Sequence, residues 1–229
     1  MRNEPIEYFY SVRSSFTYLG AARLNALASE LGVAVVHHPV DLGKLVERLE
    51  PIDGANTADR AYAGARVRES CPVRERYAQL EYRRWSRYLG IPINVDPKHH
   101  YGPRELPSGV VIAAQRRGLD VGAVSHAVLQ ALWRDDLDIA DENLVADLLD
   151  ELRLGVPGAA LCAEALSPSV QEEFAANTAL AARKGVFGSP TYIYRDEPFF
   201  GQDHLGFLRR AIRGDGARRG GGPDPREAE

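Results

Sequence analysis

The segment Gly185-Val-Phe-Gly-Ser-Pro-Thr-Tyr-Ile-Tyr194 constrains this chain more than any other, because it sets a proline directly before a β-rich run. Proline cannot donate to a sheet ladder, so it stands at a strand's first residue or on an edge, often with a cis peptide bond. The glycines before it make a turn, Arg195-Asp-Glu-Pro198 makes a second, and Phe199-Phe-Gly-Gln-Asp203 reads as a short strand running into a helix. Such a geometry offers the backbone of Ser189 to a ligand.

The other end of the chain completes the pattern. Ile6-Glu-Tyr-Phe-Tyr10 is a short β-rich run, and Leu19, Leu24, Leu27 and Leu31 recur at helical spacing within a segment from Phe16 to Leu31 closed by Gly32. Val33 to Val40 is nearly all apolar, as a buried parallel strand would be. A β-α-β opening and a strand pair near the other end, with helical patterns over 73–89 and 108–184 between them, read as an α/β fold interrupted by a helical insertion. The divisions expected are 1–50 with 185–213 for the α/β part and 51–184 for the mainly helical part. Breaks fall at Gly90-Ile-Pro92, Gly118, Gly155-Val-Pro157 and Ser167-Pro168. Asp141 and Ser169 look like N-caps, the latter with Glu172 three residues on as a capping box. A loop or short helical excursion is expected over Pro51–Ser70. The stretch 214–229 has too few apolar groups to fold.

Composition excludes several classes of function. A net charge of −4 with mixed signs leaves no basic footprint for nucleic acid. No apolar run approaches the roughly 20 residues of a membrane span, and no basic-then-apolar leader opens the chain, so the cytoplasm is the expected location. Cys71 and Cys162 are far apart and form no C-x-x-C pair, which removes the dithiol motif and a cysteine-rich metal site. His37 and His38 are adjacent on an expected strand and face opposite ways, unsuited to sharing a metal. Gly220-Gly-Gly222 lies in a polar tail before Pro223 and is no nucleotide loop.

Ser14-Ser-Phe-Thr-Tyr-Leu19, Arg84-Trp-Ser-Arg-Tyr-Leu-Gly-Ile-Pro92, Gly185-Val-Phe-Gly-Ser-Pro-Thr191 and Gly201-Gln-Asp-His-Leu205 together resemble one family. It is the glutathione-dependent branch of the thioredoxin-like superfamily, the DsbA-like group of kappa-class glutathione transferases and 2-hydroxychromene-2-carboxylate isomerases. The resemblance runs from about Ile6 to Ile212. It implies a thioredoxin-like domain interrupted by an all-helical insertion, with glutathione as cofactor, an aromatic small-molecule substrate and a homodimer.

The same resemblance implies roles for particular residues. Ser14 falls where thioredoxin-like redox proteins carry the attacking cysteine, and a serine there leaves the thiol to be supplied by glutathione. A helix N-terminus carries about half a positive charge and free N–H groups. A hydrogen bond to a charged group is worth about 1.5–3 kcal/mol, so a thiol with pKa near 8.5 would fall by roughly one to two units beside Ser14. The family's turn is Ser-Pro where this chain has Ser14-Ser15, so either hydroxyl could face the thiol. Read from spacing alone, Ser14 is a helix N-cap, and the catalytic role comes from the resemblance.

Ser189 and Pro190 are expected to pair with the cysteinyl part of glutathione as an added strand. Gln202 and Asp203 are expected to bind its γ-glutamyl end, with a helix cap as the rival role for Asp203. His99 and His100 are candidates to meet the organic substrate, and Arg74 and Asn56 to meet a substrate carboxylate or glutathione. Two further readings stay open: a kappa-type transferase that leaves glutathione attached to an electrophile, and a non-catalytic thioredoxin-like binding protein.

Overall fold

The computed structural model describes residues 4–48 and 72–214. The Pro51–Ser70 segment, Asn56, Cys71 and the tail beyond Gly214 lie outside the described residues.

The chain opens with β1 (Ile6–Tyr10), α1 (Ser15–Leu31) and β2 (Val35–Pro39), the β-α-β unit expected. β1 pairs parallel with β2, from Ile6 opposite Val35 to Tyr10 opposite Pro39. Near the other end β3 (Thr191–Tyr194) and β4 (Glu197–Phe200) form a hairpin. Arg195 and Asp196 at its tip both take positive φ, the left-handed conformation a two-residue turn requires. β3 runs antiparallel to β1 with Tyr192 opposite Tyr8, so the sheet order is β2-β1-β3-β4.

Side-chain alternation gives the sheet two faces. Ile6, Tyr8 and Tyr10 point to one face with Tyr192 and Tyr194, and the Tyr8 ring stacks on those of Tyr10 and Tyr192 at 4.2 and 5.2 Å between centroids. Phe9 and Ile193 point to the other and pack with Val40, Leu45, Ala181 and Val186. The two histidines divide as alternation demands. His37 lies edge-on to Tyr8 and Tyr10, whereas His38 stacks on Phe9.

Between β2 and β3 the described helices are α2 (Leu42–Arg48), α3 (Pro72–Leu89), α4 (Glu105–Arg116), α5 (Val121–Trp133), α6 (Glu142–Glu151), α7 (Gly158–Ala165) and α8 (Pro168–Arg183). α4, with Val110 to Ala114 fully buried, packs against α5, α7, α8 and β2. α1 lies against α5, and α8 covers β2 and α2 on the opposite face. The Asp141 carboxylate caps α6 by accepting from the N–H groups of Asn143 and Leu144, as expected.

Three local readings are corrected, and one short helix is new. α2 was not legible in its seven-residue pattern. β2 is shorter than Val33–Val40. The cap of α8 is Ser167, because Pro168 takes the first helical position, where a missing N–H costs nothing; the Ser169 hydroxyl instead accepts from Arg116. The last helix does not start at Asp203. A 3₁₀ turn at Gln202–His204 comes first, and α9 spans Leu205–Arg213.

Candidate active site

The site begins at the mouth of α1. Ser14 is the N-cap, with extended backbone and its Oγ accepting from the Thr17 N–H at 3.3 Å. The same hydroxyl donates to the Ser189 carbonyl at 3.3 Å. Ser15 is the first helical residue and only 4% exposed, whereas Ser14 is half-buried at the opening. The N–H groups of Ser15 and Phe16 precede the first intrahelical bond and are donors with the helix dipole behind them.

Opposite stands the proline turn, and the Ser189–Pro190 peptide is cis. The Ser189 side chain is held internally: its Oγ accepts from the Ser11 N–H and bonds the Thr17 hydroxyl, both at 2.9 Å. Its backbone N–H has no hydrogen-bond acceptor among the described residues. An extended peptide pairing there would meet one free donor and a carbonyl held by a single long bond.

The Pro190 carbonyl accepts from the Gly201 N–H at 2.9 Å, which brings Gln202 and Asp203 to the same edge. Gln202 is 1% exposed, and its Oε1 accepts from Arg23 of α1 at 2.5 Å. Gly20 permits this approach, since a Cβ there would lie 2.9 Å from the Gln202 Cβ and 3.0 Å from the Tyr192 hydroxyl. The Asp203 carboxylate caps no helix. It is half exposed and 3.5 Å from His204 Nδ1, leaving it open to a cation.

On the remaining side lies the loop between α3 and α4, which begins at Gly90 with positive φ. It is tied once to α1 and once to the turn before it. The Tyr18 hydroxyl donates to the Pro92 carbonyl at 2.7 Å. Arg13, 4% exposed, donates from Nη1 to the carbonyls of His99 and His100 and from Nη2 and Nε to that of Pro103. Burial and the neighbouring Arg104 lower its pKa to about 10, so it stays charged at neutral pH. His99 turns toward Asp138, 3.6 Å away, and His100 lies edge-on to Trp133, lining a cleft of about 60 Å³ with Tyr82. Arg74 stands in the first turn of α3; its side chain is outside the described residues.

Ser14, Ser189, Pro190, Gln202 and Asp203 therefore converge, and the loop of His99 and His100 joins them through Arg13. Sequence reasoning missed Arg13, Arg23 and Gly20. A signal existed for the first: an arginine wedged between a buried strand and a helix cap must find acceptors nearby. Among the described residues no group of three His, Cys, Asp or Glu could hold a metal ion, and no helix is long and apolar enough to cross a membrane. Cys162 is buried among the helices with its thiol pushed up to about 11 by burial.

A mixed four-stranded sheet, a cis-proline facing a helix mouth and helices set between β2 and β3 define a thioredoxin-like fold with a helical insertion. The chain belongs to the family of the DSBA-like thioredoxin domain, which matches residues 5–213. It is 26% identical over 209 residues to a 2-hydroxychromene-2-carboxylate isomerase of Pseudomonas sp. (strain C18), covering 91% of this chain and 90% of that one. It is 27% identical over 205 residues to a protein of the same name from Sphingobium xenophagum, covering 89% and 95%. Among solved structures, a 2-hydroxychromene-2-carboxylate isomerase superposes with a TM-score of 0.68 at 22% identity, covering 93% of this chain and 96% of that one. The cytosolic disulfide reductase DsbM from Pseudomonas aeruginosa, solved with GSH, gives 0.63 at 22% identity, covering 93% and 99%. These two likenesses speak for the fold.

Proposed function

We propose that this protein is a glutathione-dependent isomerase acting on an aromatic-catabolic carboxylate of the 2-hydroxychromene-2-carboxylate type. The observation that carries the reading is the meeting of a half-buried hydroxyl, a helix N-terminus and an unpaired backbone N–H at Ser14 and Ser189. The relatives named as isomerases support the choice of reaction.

The residues fit glutathione as a ligand. The Ser189 N–H and C=O offer the two groups an added strand needs. The Asp203 carboxylate suits an ammonium group, and the buried Gln202 beside it is fixed by Arg23. When bound, glutathione supplies a nucleophilic sulfur that adds to a conjugated carbon and leaves again, so that no net oxidation occurs. Ser14 then has one task, to donate a hydrogen bond to that sulfur and favour its charged form, with the N–H groups at the mouth of α1 adding to the effect. The loop of His99 and His100, held by Arg13, forms the wall against which the organic substrate is oriented and water excluded.

The test is to incubate the protein with glutathione and 2-hydroxychromene-2-carboxylate and follow both compounds. Isomerised product with glutathione recovered unchanged is expected. A glutathione conjugate would move the protein to the kappa-type transferases, and no turnover with tight glutathione binding would make it a binding protein.

A further inference from the structure

Arg13 is a buried cation without a carboxylate partner. Among the described residues its guanidinium makes no ion pair, and its hydrogen bonds go to the carbonyls of His99, His100 and Pro103. Carbonyl dipoles satisfy N–H groups without cancelling the charge. A buried charge is normally paired, because a partner offsets much of the cost of leaving water. Here the uncancelled charge belongs to the residue directly before Ser14, and the Arg13 N–H bonds the Ser11 hydroxyl at 3.3 Å in the same turn.

We infer that Arg13 is a second source of positive potential for the thiolate at Ser14, acting with the helix N-terminus and touching no reacting atom. The inference rests on the glutathione reading above. Arg13 is thus a positioning residue with two effects, a field on the sulfur and a clamp on the substrate loop. Coulomb's law puts the influence of a unit charge about 10 Å away, at an effective permittivity of about 20, at roughly one pKa unit. The charged groups facing Arg13 are Arg104, Asp138 and Glu105. Asp138 is shared with His99, Arg104 sits 3.8 Å from Asp41, and both carboxylates facing Arg13 lie toward solvent, where screening is strong. The other charged groups along this edge are Arg23, which donates to Gln202, and Asp203 with His204 3.5 Å away.

Field and clamp can be separated. A Cβ at Gly102 would lie 2.9 Å from Arg13 Nη2, so Gly102→Ala disturbs the clamp and keeps the charge. Arg13→Met removes both, Arg13→Lys keeps the charge, and Arg13→Gln is a second neutral variant whose amide can still donate to one of the three carbonyls. Glutathione binding is measured by calorimetry, and the bound thiol is titrated by its thiolate absorbance. In Arg13→Met or Arg13→Gln the thiolate-to-thiol ratio at fixed pH should fall about tenfold, with Arg13→Lys close to the parent. Gly102→Ala should leave the thiol pKa in place and raise KM for the organic substrate.

An unshifted thiol pKa in a folded, glutathione-binding neutral variant would overturn the inference, as would an equal shift in Gly102→Ala. Failure of the parent protein to bind glutathione, or an ordinary thiol pKa in its complex, would instead overturn the proposed function itself.

Discussion

The Ser14 hydroxyl donates to the carbonyl of Ser189, a residue 175 positions away in sequence, at 3.3 Å across the mouth of α1. That is long for an O–H···O bond, whose usual distance is about 2.7–2.8 Å. A thiolate placed there would take the proton from a weakly held neutral acceptor, and a charged acceptor forms the stronger bond. Ser14→Ala should therefore lower kcat by about 10- to 100-fold, from about 1.5–3 kcal/mol of lost stabilisation, with glutathione affinity changed less than threefold. The cap is lost as well, at about 1 kcal/mol of stability, so Ser14→Thr, which keeps hydroxyl and cap, is the control. Ser15→Ala should be kinetically silent; loss of turnover in it instead of Ser14→Ala would move the role to Ser15.

Asp203 is open to the same kind of test. Because its carboxylate caps no helix and is half exposed, Asp203→Asn should leave the thermal midpoint unchanged while weakening glutathione binding about tenfold. Calorimetry on the two proteins decides it, and equal dissociation constants would remove Asp203 from the site.

Much of this arrangement was legible in the sequence, for physical reasons. A proline before Thr191-Tyr-Ile-Tyr194 restricts backbone geometry locally, and the leucine spacing of α1 is a property of the segment itself. His37 and His38 were separable by alternation alone. What escaped depends on contacts between distant segments. The acceptors of Arg13 are three carbonyls of a loop about ninety residues away, and those of Arg23 lie on Gln202. Gly20 looks like a weak point in a helix until Gln202 is packed against it. The cap of α8 falls at Ser167 because a capping box at Ser169 and Glu172 competes in sequence with Pro168, and proline's geometry prevails.

The buried His37 should make stability depend on pH. Burial, aided by neighbouring His38, lowers its folded pKa from 6.5 to about 4, so it is neutral in the folded protein, where Nδ1 is 3.0 Å from the Tyr10 hydroxyl. As pH falls below about 6.5 the unfolded chain binds the proton first, so stability declines from there to about pH 4 and is unaffected by this group above that range. The loss amounts to about 3 kcal/mol at most. Urea unfolding at about pH 7 and about pH 5 should show a smaller difference in His37→Gln than in the parent. An equal difference would place the titrating group elsewhere.

The loop after α3 is the proposed wall for the organic substrate. His99→Ala, His100→Ala and Arg74→Ala should each raise KM for the aromatic acid severalfold if their side chains meet it, with glutathione binding intact. His100 lies on Trp133, so its replacement should also alter the near-ultraviolet dichroism of that indole. Unchanged saturation kinetics in all three would assign selectivity to apolar side chains of the helices between Ser108 and Leu154.

The most direct test of the central claim is a crystal structure of the protein grown with glutathione. The sulfur should lie within hydrogen-bond distance of Ser14 Oγ, with the cysteinyl backbone paired to the N–H and C=O of Ser189 and the γ-glutamyl ammonium at Asp203. A sulfur bound away from the mouth of α1, or paired to Ser15 with Ser14 still donating to Ser189, would contradict the account.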